Sequence, residues 1–194
     1  MTRTITAARD KLSVHTSWQA MNDAPLVALE HVALGLELLD PEVRIRLPAG
    51  RAYELSERDG PTRPPDDARF WPDVRLLDGG SERVERWPLS ERRSRLFAIA
   101  DLPEGGAEAV NCRTGQGIRL EWDARALPHL WIWHEVRTTG GPWRELTEVL
   151  CVEPATVPHS LGLAKAVGEG QAVRLRAGER FESTITARPF EEHQ

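Results

Sequence analysis

Apolar residues fall at every second position in one stretch of this chain after another, and no other feature narrows its possible folds as much. Leu12, Val14, Thr16 and Trp18 share one side of an extended backbone, as do Val43, Ile45 and Leu47, and again Ile118, Leu120 and Trp122. Val173 with Leu175, and Phe181 with Ile185, repeat the spacing near the C-terminus. A period of two specifies half-buried strands. Two further runs, Leu130 to Val136 and Thr147 to Glu153, are dense in β-branched and aromatic residues and predict strands buried on both faces. The 15 glycines and 14 prolines punctuate these runs as turns do in a sandwich. Gly79-Gly80, Gly105-Gly106 and Thr139-Gly140-Gly141-Pro142 read as such turns. The chain therefore reads as all-β.

One segment runs against this pattern. Ala24 to Leu39 (APLVALEHVALGLELL) is rich in Leu and Ala, and on propensity alone it predicts a helix after the cap candidates Asn22 and Asp23. Gly35 weakens that helix by about 1 kcal/mol. Residues 57–67 (ERDGPTRPPDD) hold three prolines and a surplus of acids, which predicts an exposed, mobile loop. The apolar segments before that loop are too few to build a core alone, so residues 1–194 are expected to form a single domain.

Charge and cysteine content exclude several classes. With a formal net charge of -5, the chain lacks the basic surface of a general nucleic-acid binder. No stretch approaches 18 uncharged apolar residues, so no membrane span is expected, and Met1 to Trp18 contains no hydrophobic run of signal-peptide type. The two cysteines, Cys112 and Cys151, form neither a disulfide framework nor a CxxC pair, and a reducing cytoplasm is the expected setting. Lysine occurs only at Lys11 and Lys165, a bias toward arginine that reflects codons of a GC-rich genome rather than chemistry.

The residues with chemical potential are few. No phosphate loop, GxGxxG turn, nucleophile elbow or HExxH is present. His129 and His134 are five apart, a spacing that neither helix nor strand puts on one face, so a metal site on them needs ligands from elsewhere, and no metal is expected there. Trp131 and Trp133 share one face of a strand, while Trp71, Trp87 and Trp143 each sit beside a proline. Each indole is either core packing or a stacking platform for a ring-shaped ligand. Glu153 directly follows a continuous apolar strand. Either it faces water just past the strand end, or it is buried and needs a partner or a purpose. The residues alone leave both readings open.

Taken in order, these segments resemble a known family. Leu127 to Trp133 (LPHLWIW), Pro142-Trp143, Cys151 to Thr156 (CVEPAT) and Leu175 to Glu179 (LRAGE) are similar to the C-terminal half of aldose 1-epimerases, the galactose mutarotase-like proteins. Glu30 to Gly35 (EHVALG) resembles the segment where that family places a catalytic histidine ahead of a glycine, and Phe70-Trp71-Pro72 and Gly115 to Asp123 resemble further stretches. The resemblance covers most of residues 12–187. It implies a β-supersandwich, N-terminally shortened relative to the family, with His31 on a strand or adjoining loop rather than in a helix.

It also implies a monosaccharide or related carbohydrate as partner and a reaction that interconverts sugar anomers without a cofactor. Carried over, Glu153 is the general base and His31 the acid, facing one cavity from opposite sides with a gap about a sugar ring wide. Trp71 and Trp133, with Trp131 nearby, are expected to line that cavity. Departures from the family are the missing N-terminal part and the lack of a match to its sugar-binding aspartate motif. The alternative is a non-catalytic carbohydrate-binding or assembly module on the same fold; a cupin-like metal enzyme, a third reading, rests on histidines and β content alone. Sheet edges left uncovered by the shortening imply a homo-oligomer.

Overall fold

The alternating segments become strands of two facing sheets. In the computed structural model, residues 1–39, 42–56, 58–88, 92–139 and 145–192 are described. Strands numbered along the chain form a seven-stranded sheet in the order β1 (Thr2–Ala7), β2 (Leu12–Gln19), β17 (Arg180–Glu191), β13 (Gln116–Trp122), β12 (Gly105–Asn111), β5 (Val43–Arg46) and β10 (Arg86–Trp87). The eight-stranded sheet runs β4 (Val32–Ala33), β15 (Glu148–Ala155), β14 (His129–Val136), β11 (Ser94–Ala100), β6 (Arg51–Glu54), β8 (Asp73–Arg75) and β9 (Ser81–Arg83), with β7 (Arg69–Phe70) also paired to β6. A small ribbon joins β3 (Ala24–Leu26) to β16 (Val173–Leu175), and the helices are α1 (Leu36–Leu39) and α2 (Gly162–Gly168). Among the described residues all strand pairings are antiparallel except β6 with β8.

Period-two burial sets the layers. Val43, Ile45, Ala107, Ala109, Leu120, Trp122 and Ile185 come from one sheet and Phe97, Ile99, Leu130, Ile132, Leu150 and Val152 from the other, and they form one buried cluster between the two. This is the β-sandwich core the alternation calls for. A second cluster lies on the other face of the eight-stranded sheet: Tyr53, Leu55, Ala98 and Ala100, joined by Leu96 and Trp131. The residues after β15 cover part of that face, where the Tyr53 hydroxyl donates to the Pro158 carbonyl and the Trp131 indole N–H to the Val157 carbonyl.

Two local expectations need correction. The helix over 24–39 is only four residues long, because 28–34 run antiparallel along β15: Leu29 bridges Ala155, Val32 and Ala33 pair with Val152 and Cys151, and the Leu34 N–H reaches the Leu150 carbonyl. Pairing to a buried strand outweighs Leu and Ala propensity. Gly105 and Gly106 do not turn; they open β12 opposite Trp122 and Glu121. A Cβ on Gly105 would sit 2.1 Å from the Trp122 carbonyl oxygen, so close backbone approach, not a turn, calls for that glycine. Residues 58–67 form neither helix nor strand; Arg58, Asp59, Arg63, Asp66 and Asp67 are exposed and none of the ten is buried. Gln171 donates to the Thr62 carbonyl and Arg63 to the Glu169 carbonyl, which tie the segment to the end of α2. Pro142 and Trp143 lie outside the described residues.

Candidate active site

Strand register brings three of the candidate residues into one row. Across β15 the pairs Leu29–Ala155 and Val32–Val152 belong to one antiparallel register, which sets His31 directly opposite Glu153. Glu153 in turn pairs with Trp131 on β14, Trp131 with Ala98 on β11, and Ala98 with Tyr53 on β6. Cross-strand partners project from the same face with Cβ atoms about 5 Å apart. His31, Glu153, Trp131, Ala98 and Tyr53 thus cross the sheet side by side. The next row holds Cys151, Trp133 and Leu96.

This face opens into a cleft of about 780 Å³ lined by Glu153, Trp131, Trp133, Leu96, Leu55, Ser94, Ser160, Arg95 and Glu54. The size suits a small ring-shaped ligand. His31 stands at its edge. Its Nε2 lies 3.1 Å from Glu153 Oε1, and its ring meets the Trp133 indole edge-on at 6.2 Å between centroids. The Trp133 N–H donates to Ser94 Oγ at 2.9 Å, which fixes that indole from the far side.

Glu153 lies inside β15 and is 5% exposed, whereas the His31 side chain is half exposed. Burial pushes the Glu153 carboxyl above the ordinary carboxylate range, and the adjacent His31 pulls more weakly the other way. Cys151 shares the Glu153 face. Burial, with the neighbouring Glu153 charge, pushes its thiol up to about 12, so it is protonated at neutral pH. Behind His31 the buried Glu30 carboxylate accepts hydrogen bonds from Arg3 at 2.8 Å and Ser183 at 2.9 Å, and the Glu30 N–H bonds the Pro154 carbonyl. Strands β1 and β17 thereby anchor the segment that carries His31.

His31, Glu153, Trp131 and Trp133 are therefore brought together on one face. The expected gap between acid and base is absent: the two side chains touch, because the register makes them cross-strand neighbours. Trp71 is not part of this site. It packs against the core between the sheets and lines a separate cavity with Arg44, Arg46 and Glu85, whereas Trp131 packs on the cleft-side cluster. The indole of Trp71 follows the turn out of β7 to the wrong side of the sheet. His129 and His134 point to opposite faces of β14, as their spacing requires. His134 is fully buried against Phe97 with rings 5.7 Å apart, and desolvation with Arg95 and Arg93 nearby lowers its pKa to about 3. Cys151, Ser94 and Ser160 are members of the site that sequence reasoning missed; Cys151 alone left a signal, two residues before Glu153 in one strand.

Comparison with known proteins bears on the fold. No family profile and no curated protein matches the sequence. Solved structures do. A candidate aldose 1-epimerase of Klebsiella pneumoniae superposes with a TM-score of 0.65 at 16% identity, over 94% of this chain and 44% of its own. Another candidate aldose 1-epimerase, from Escherichia coli, gives 0.65 at 18% identity over 98% and 60%. A galactose mutarotase-like protein of Lactobacillus casei gives 0.54 at 18% identity over 97% and 62%. The chain thus spans about half of the length of the solved structures it matches. Among the described residues no helix is long and apolar enough to cross a membrane. At these identities the likeness is one of architecture, and the chain has the β-sandwich fold of the galactose mutarotase-like proteins.

Proposed function

We propose that the cleft takes a monosaccharide and interconverts its anomers by paired proton transfers at Glu153 and His31. The observation that carries this reading is the contact of the His31 imidazole with a buried carboxylate, 3.1 Å apart, at the edge of a cleft walled by Trp131 and Trp133. Anomer exchange needs two protons moved at two oxygens, the anomeric hydroxyl and the ring oxygen, and both are bonded to the same carbon. Adjacent acid and base suit that geometry better than groups a ring apart.

In the forward step the Glu153 carboxylate takes the proton of the anomeric hydroxyl, and the oxygen's electrons close a C=O bond. The bond from that carbon to the ring oxygen breaks, and its electron pair is met by the proton of the His31 imidazolium. Rotation exposes the other carbonyl face, and the reverse transfers close the ring as the other anomer. Both side chains end as they began, so the cycle needs no redox partner. The raised Glu153 carboxyl makes a stronger base than an exposed one. The indoles supply apolar faces for sugar C–H groups, while Ser94 and Ser160 offer hydroxyls at the wall.

Saturation-transfer NMR of anomer exchange on a panel of aldoses tests the proposal. Acceleration of at least one sugar is expected; a folded sample that binds sugars and accelerates none supports the non-catalytic carbohydrate-binding alternative. Self-association through the outer edge of β1, exposed at all six residues, belongs to the same reading and is checked by light scattering.

A further inference from the structure

The register that joins His31 to Glu153 also brings a third donor to them. Cys151 is two residues from Glu153 on one strand face, and it sits diagonally across from His31 on the neighbouring segment. One ligand atom from each, the imidazole nitrogen, the thiol sulfur and a carboxylate oxygen, all lie within 4.8 Å of one another. We propose that His31, Cys151 and Glu153 form a binding site for a single Zn²⁺ ion on the cleft face of the eight-stranded sheet.

Donor chemistry selects the ion. Nitrogen, sulfur and oxygen from one residue each is a set that zinc accepts and that the oxygen-seeking cations Mg²⁺ and Ca²⁺ do not. The geometry needs only small movements: zinc bonds to nitrogen and oxygen of about 2.0–2.1 Å in a tetrahedron put those atoms about 3.3 Å apart, and His31 Nε2 and Glu153 Oε1 are already at 3.1 Å. Charge favours it as well. A thiolate and a carboxylate cancel the two positive charges, so the occupied site is neutral where two of its three ligands are buried. The ion's own field removes the thiol proton that burial otherwise retains. Three protein ligands leave the fourth position toward the cleft, open to water or to a ligand hydroxyl.

The occupied site engages both proton-transfer groups, so Zn²⁺ stops anomer exchange and a chelator restores it. That consequence rests on the mutarotase reading; the binding does not.

The test is titration of the purified chain with Co²⁺, followed by absorption, in a Cys112→Ser background that removes the exposed thiol. One Co²⁺ per chain, with a thiolate-to-metal charge-transfer band and displacement by an equivalent of Zn²⁺, is expected. Cys151→Ser should abolish the band. Because Cys151 is fully buried and its replacement can perturb folding, His31→Asn, at a half-exposed position, provides the second arm and should weaken Zn²⁺ binding on the order of a hundredfold or more in calorimetry. Absence of the thiolate band with Cys151 present, or unchanged Zn²⁺ affinity in His31→Asn, overturns the site. A chain that binds Co²⁺ through Cys151 yet accelerates no anomer exchange with or without metal keeps the site and loses the mutarotase reading. A chain that exchanges anomers and ignores Zn²⁺ keeps the reading and loses the site.

Discussion

Strands β14 and β15 present two faces built from alternate residues of the same sequence. Toward the other sheet they contribute Leu130, Ile132, Leu150 and Val152, all buried and apolar. Toward the cleft they contribute Trp131, Trp133, Cys151 and Glu153, which are two half-buried indoles, a thiol and a buried carboxylate. The first face packs as a core does, with one polar member, His134, fully buried against Phe97. The second keeps a charge out of water beside one half-exposed partner, an arrangement that stability alone does not favour. Departures from local consistency concentrate where a fold does chemistry, and on the reading proposed above one face serves stability and the other function.

The largest effect belongs to the core face. Ile132→Ala should lower unfolding stability by about 2–5 kcal/mol in denaturant titration while the folded fraction keeps its sugar affinity; a loss of affinity without a loss of stability would merge the two faces. Acid should act next, through one histidine on each face of β14, His134 toward the core and His129 toward the cleft. Desolvation lowers His129 to about 4 and His134 to about 3. Between the ordinary histidine value near 6.5 and those values the unfolded chain binds more protons than the folded one, so stability rises with pH there and is lost as pH falls. Each histidine contributes up to about 1.4 kcal/mol per pH unit in that window, and His134→Leu should flatten the slope by one proton. A third change sharpens the link between the faces. Glu30→Gln weakens the anchor from Arg3 and Ser183, and should cost about 1 kcal/mol in stability and more in any anomer-exchange rate, since His31 is the next residue. The smallest effect is at the wall: Trp133→Leu should weaken sugar binding by about 0.5–1.5 kcal/mol in calorimetry with little change in Tm.

Much of the sandwich was legible because face assignment is a local property. Alternation located β2, β5, β13, β16 and β17, and the dense apolar runs located β14 and β15, with no knowledge of their partners. Partners are not local. That 28–34 lie along β15 depends on residues about 120 positions away in sequence, so propensity alone predicts a helix there where the resemblance implied a strand or loop, and the direct contact of His31 with Glu153 was replaced by an expected gap. The same limit hid Ser94 and Ser160 and misplaced Trp71, whose proline neighbour indicates a turn but not which side of the sheet the turn leaves it on. β1 escaped notice because Thr2, Thr4 and Thr6 alternate with Arg3, Ile5 and Ala7, so neither face is consistently apolar, and all six residues are exposed. His31 and Glu153 themselves came from the family resemblance; periodicity alone left Glu153 undecided between strand end and interior.

Glu153→Gln separates the two faces most directly, because it keeps the shape of the side chain and removes both its basicity and its buried charge. Anomer-exchange rate and Tm should be measured on the same samples of parent and variant. The account predicts a rate lower on the order of a hundredfold or more, with a Tm equal to or above the parent's, since relieving a carboxylate whose pKa burial has raised does not destabilise the fold. A variant that exchanges anomers at the parental rate, or one that loses its fold along with its activity, would contradict it.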